Sequence, residues 1–99
     1  MGMFKKLFAS DPDSLRKKAD ALFERGDYGP AKLAYEKALE AAPAGERQAL
    51  EQRVRECMDG IARQRIAEAR AYVGQGSIEL ASQELAGALE VASDPAVLE

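Results

Sequence analysis

Few side chains in this chain have the chemistry for catalysis or metal binding. There is one cysteine, Cys57, and no histidine. A nucleophilic thiol needs a neighbouring base, and without histidine the commonest base, proton shuttle and transition-metal ligand are all missing. Cys57 stands among Val54, Met58 and Ile61, so the expectation is a small buried apolar residue with no disulfide to make. No cysteine pair has zinc spacing, no glycine-rich loop has the form that cradles phosphate, and no GxSxG turn is present. The carboxylates and arginines are spread along helical stretches, where they are expected as solvated surface. The sequence therefore predicts no enzyme, no metal and no cofactor. What chemistry remains belongs to recognition: mixed charges such as Arg16, Asp20, Glu24 and Arg70, set beside apolar Phe23, Ile66 and Val73.

Those residues need elements to position them, and the spacing is helical throughout. Alanine is abundant, β-branched residues are few and no alternating strand pattern appears. The fold class expected is all-α, built from antiparallel helical hairpins, with about four helices and a long third one. Leu15, Ala19, Leu22 and Phe23 form the stripe of a first helix. Gly26 supplies a residue able to take positive φ, which closes that helix. Asp27 is placed to cap the next, and Pro30 falls in its first turn, where a missing N–H costs nothing. Ala31, Ala34, Tyr35, Ala38 and Leu39 line the second helix, and Pro43 stops it. A connection this short between two helices predicts an antiparallel hairpin.

Ala19, Leu22, Gly26-Asp27-Tyr28, Ala31, Tyr35, Ala38-Leu39 and Pro43 resemble a tetratricopeptide repeat over residues 12–45. Leu15 and Lys18 depart from the family's usual tryptophan and leucine. A weaker second copy resembles the repeat over residues 62–95, fifty residues on: Ala69, Tyr72, Gly76, Ala81, Leu85 and Ala88-Leu89 stand where Ala19, Leu22, Gly26, Ala31, Tyr35 and Ala38-Leu39 stood. Its turn is Gly76-Ser77-Ile78, and Ser93 replaces Pro43. A regular array would repeat every 34 residues or so. The extra residues are expected to lengthen the helix from Glu46 to Val73, with a break at Gly60 as the alternative. Leu50, Val54, Cys57 and Ile61 make one stripe on it, and Ala62, Ile66, Ala69 and Val73 another. The last helix is expected from about Ser77 to Ala92.

Composition agrees with one small domain over residues 12–95, preceded by a leader (1–11) and followed by a tail or the start of a further helix (96–99). The chain has 99 residues, 46% of them hydrophobic. That is enough to fold, but only around a limited core. No apolar run is long enough for a membrane span and no secretory signal is present, so a cytoplasmic location is expected. In the leader, Phe4, Leu7 and Phe8 with Lys5 and Lys6 make a small amphipathic patch. Two lysines are worth only about 2 kcal/mol at an anionic surface, so membrane contact is not the favoured reading. Residues 1–25 carry a net charge of +2, residues 26–74 are balanced, and residues 75–99 hold five acids and no base. No basic stripe suited to a phosphate backbone appears, so no nucleic acid is expected.

The resemblance implies a concave groove lined by the first helix of each repeat. Its residues would be Arg16, Asp20, Phe23, Glu24, Ile66, Arg70 and Val73, suited to a peptide or another protein's helix. A carboxylate-clamp subclass uses asparagines that this chain lacks, with Asp20 at one such position, so that version is rejected. Two repeats leave an apolar face uncovered. Leu80, Leu85, Leu89 and Val91 are more than one neighbouring helix covers, and Leu80, Leu85 and Leu89 are the candidate self-association face. The implied function is a non-catalytic scaffold for a protein or peptide partner, with a self-assembling helical protein as the alternative. A fragment of a longer repeat protein would account for the same open face.

Overall fold

The computed structural model describes residues 12–98. The leader lies outside them. Four α-helices follow in order: α1 (Pro12–Glu24), α2 (Tyr28–Ala41), α3 (Ala44–Gly74) and α4 (Ile78–Val91), closed by a short 3₁₀ turn at Pro95–Leu98. No strand occurs among the described residues. The fold is all-α, and its third helix is long, at 31 residues. Gly60 does not break α3, which is α-helical on both sides of it. The chain divides into two compact units, one ending at Val54 and the other starting at Arg55, so the division falls inside α3.

In the first unit, α1 opens with Asp13 in its first turn, where a carboxylate complements the helix dipole. It closes at Gly26, whose φ is +81°. The Gly26 N–H donates to the Phe23 carbonyl at 3.0 Å and the Asp27 N–H to the Leu22 carbonyl at 2.9 Å. This pair of bonds is a Schellman closure, and it satisfies carbonyls that the helix end would otherwise leave open. Asp27 does occupy the cap position of α2, but its side chain makes no capping bond. Its carboxylate lies 3.2 Å from Arg25 instead. Pro30 is the third residue of α2, and Ala42 is extended (φ −77°, ψ 140°) ahead of Pro43, as the residue before a proline prefers. α1 and α2 pack as a hairpin around Ala19, Ala31, Ala34, Tyr35 and Ala38, all buried. Leu15, Leu22, Phe23 and Leu39 are half-buried around them.

The second unit repeats the backbone device. Gly76 has φ +79°, its N–H donates to the Val73 carbonyl at 3.0 Å, and the Ser77 N–H donates to the Tyr72 carbonyl at 2.8 Å. The core differs. In α3 its buried members beyond Gly60 are Ala62 and Ala69, and in α4 they are Ala81 and Ala88. The helix pair is tied at its far end by Asp59, whose Oδ1 accepts from the Ser93 N–H at 2.8 Å, the Ser93 hydroxyl at 3.0 Å and the Asp94 N–H at 3.1 Å. Ser93 holds the place that Pro43 has in the first hairpin. The extra N–H and hydroxyl are thus both used. Beyond it, the described part of the tail forms the 3₁₀ turn.

Candidate functional site

Two of the four groove residues expected on α1, Arg16 and Asp20, gather with residues of α2 and α3 on one side of the first unit. Arg16, Asp20, Tyr35, Glu46, Leu50 and Arg53 are among the lining of a concavity of about 310 Å³. Four residues separate Arg16 from Asp20, which puts them on one helical face. Arg16 pairs with the exposed Asp13 at 3.0 Å. The buried Tyr35 donates its hydroxyl to Asp20 Oδ1, so this carboxylate both borders the concavity and satisfies the only polar atom of the largest core side chain. Leu50 is buried at the floor.

Phe23 is half-buried, and its ring has two neighbours within the first unit. Its ring meets the Tyr28 ring edge-on, with centroids 5.2 Å apart and planes at 77°. The Arg53 guanidinium stands 4.9 Å from its centroid. Both contacts suit an aromatic quadrupole, and the second places a cation on one ring face. Glu24 is exposed at the end of α1.

Ile66, Arg70 and Val73 belong to the second unit and lie on one face of α3. Ile66 is half-buried, while Arg70 and Val73 are exposed. Val73, part of an apolar stripe by spacing, is 54% exposed. The three leucines expected on α4 are all exposed: Leu80 at 45%, Leu85 at 48% and Leu89 at 67%. They do not make one stripe, however. Leu80 and Leu85 are five residues apart, which at about 100° per residue sets them on different sides of the helix. Ile78, 58% exposed, is the residue that aligns with Leu85 and Leu89.

Sequence reasoning missed Arg53 and Tyr35 as site residues, because only tertiary packing brings α2 and α3 to the Asp20 side of α1. Ile78 was readable from its seven-residue spacing to Leu85. Cys57 is fully buried. Among the described residues no group of three or more His, Cys, Asp or Glu is placed to hold a metal, and no helix is long and apolar enough to cross a membrane. No protein-family model, no curated protein and no solved structure matches this chain.

Proposed function

We propose that the chain is a non-catalytic, cytoplasmic scaffold of tetratricopeptide-like construction that binds a protein or peptide partner along the exposed faces of its first-of-pair helices. The observation that carries the reading is the duplicated closure at Gly26 and Gly76. The same pair of hydrogen bonds recurs fifty residues apart, each followed by a helix that buries alanines at matching places, Ala31 and Ala38 against Ala81 and Ala88. A repeated hairpin with small residues at its close approach is how helical repeat proteins build a recognition surface. Arg16 with Asp20 gives the first unit charges of both signs, and Ile66, Arg70 and Val73 give the second a cation beside apolar contact.

The test is to pan a displayed random-peptide library against the full chain and titrate the enriched peptides. Binding at micromolar strength that falls about tenfold in Arg16→Ala or Arg70→Ala supports the reading, since one exposed charged contact is worth up to about 1 kcal/mol and a partly desolvated one more. If nothing enriches, or if enriched peptides are indifferent to Arg16, Ile66, Arg70 and Val73, the groove assignment fails.

A second reading has its own observation. Ile78, Leu85 and Leu89 form an exposed apolar line on α4, which favours self-assembly through that face.

A further inference from the structure

We infer that a second copy of this chain covers the second unit, packing through a two-fold axis that lays α3 of one copy over α4 of the other. The inference rests on the self-assembly reading just given and specifies its geometry. It starts from the side of the α3–α4 pair on which the apolar residues lie. Arg65 reaches Glu84 at 3.8 Å, and its guanidinium lies over Gly87, so close that a β-carbon there would be 2.7 Å from Nη1. Arg65, Glu84 and Gly87 therefore mark one side of the pair. Measured around each helix from its buried alanines, Ile66 and Val73 on α3 and Ile78, Leu85 and Leu89 on α4 all turn to the opposite side. They make one continuous apolar face across both helices, with Val73, Ile78, Leu85 and Leu89 each about half exposed or more.

The borders of that face carry opposite charges. Arg63 and Arg70, seven residues apart, flank Ile66 and Val73 on α3, and both are exposed. The line Glu79–Ala86–Glu90 runs beside Ile78–Leu85–Leu89 on α4, also exposed, and no basic residue occurs from 75 onward. Pairing α4 with α4 of another copy would set acid against acid, and pairing α3 with α3 would set arginine against arginine. Only α3 over α4 of the second copy puts each basic border on an acidic one. The register agrees. The contacts Asp59–Ser93 and Arg65–Glu84 fix which residues are level across the antiparallel pair. A two-fold axis parallel to the helices preserves those levels. Arg63 then comes within about one to four residues, roughly 2–6 Å along the axis, of Glu90 in the second copy, and Arg70 within about three residues of Glu79. The product is an antiparallel four-helix arrangement with an apolar centre.

The experiment uses the full chain in two charge-reversed forms, Arg63→Glu with Arg70→Glu, and Glu79→Arg with Glu90→Arg. Sedimentation equilibrium from low micromolar to near-millimolar concentration reads self-association, while circular dichroism checks that both forms keep the helical content of the parent. The parent is expected to dimerise. Each variant alone should self-associate at least about tenfold more weakly, because every border now repels, and an equimolar mixture should pair as strongly as the parent. A parent that stays monomeric overturns the inference, as does a variant that dimerises undiminished or a mixture that fails to pair. Should a variant not fold, Leu85→Asp with Leu89→Asp replaces it, and a folded dimer of that form overturns the inference equally. No partner peptide enters the measurement, so its failure is separate from failure of the groove reading.

Discussion

The two hairpins share a backbone device and differ in what they bury. Both close their first helix on a positive-φ glycine with the same two hydrogen bonds. The first then encloses Tyr35, with Asp20 accepting its hydroxyl and Phe23, Tyr28 and Arg53 stacked nearby. The second buries Cys57 and the alanines Ala62, Ala69, Ala81 and Ala88, and leaves Val73, Ile78, Leu85 and Leu89 outside. Local closure depends on one residue that tolerates left-handed backbone, so it survives a change of core. A core of such small residues brings two helices close but buries little apolar area, at about 25 cal/mol per Å². The first hairpin therefore buries a large aromatic side chain, whereas the second leaves its larger aliphatic side chains exposed.

The sharpest way to break this comparison is at Tyr35. Tyr35→Ala should destabilise the chain by about 3–5 kcal/mol, the range for removing a buried aromatic ring, read as a lowered midpoint in denaturant melts. Tyr35→Phe should cost less, about 1–3 kcal/mol, because Asp20 loses its buried donor while the ring stays. If Tyr35→Ala is mild, the first hairpin is not the better-packed one. Next is the tie at the end of the second hairpin. Asp59→Ala removes an acceptor that serves Ser93 and Asp94 and should cost about 1.5 kcal/mol, with faster amide exchange confined to the end of α4 and the turn after it.

The shared device gives a matched pair. Gly26→Ala and Gly76→Ala should each cost about 1–2 kcal/mol, since an alanine there is forced into left-handed backbone. At Gly76 no neighbour lies within 4 Å of the added β-carbon, so that cost is conformational alone. Unequal losses would show that the two closures are not equivalent. The smallest effect sharpens the contrast between exposed leucines. Leu33 on α2 and Leu89 on α4 are 63% and 67% exposed. Changing either to serine should alter stability by no more than about 0.5 kcal/mol at high dilution. Only Leu89→Ser should abolish a rise of melting temperature with protein concentration.

Much of this architecture was legible before the structure. The glycine, the proline stop and the alanine spacing in residues 12–45 named a hairpin, because helix ends have local chemical requirements. The unbroken run from Glu46 to Val73 named a long helix, and its passage through Gly60 shows how little one glycine, about 1 kcal/mol, weighs against a helix of that length. The expected cap at Asp27 did not form, because its carboxylate is with Arg25. The groove residues were harder. Spacing sets Phe23 on the stripe of α1, and Arg53, thirty residues on, stands on its ring face. Nothing local to either residue encodes that meeting.

The sequence alone determined the all-α class, the two glycine closures and the absence of histidine chemistry, since each follows from residue type and near-neighbour spacing. It also determined the charge division that leaves the last quarter of the chain without a base. Only the tertiary structure decided which side chains close over one another: Tyr35 on Asp20, Arg53 on Phe23 and Arg65 across Gly87. It also decided that the face shared by Ile78, Leu85 and Leu89, which spacing alone defines, is left exposed beside the packed alanines. Helical periodicity fixes directions around an axis, but which direction is inside depends on where the next helix lies.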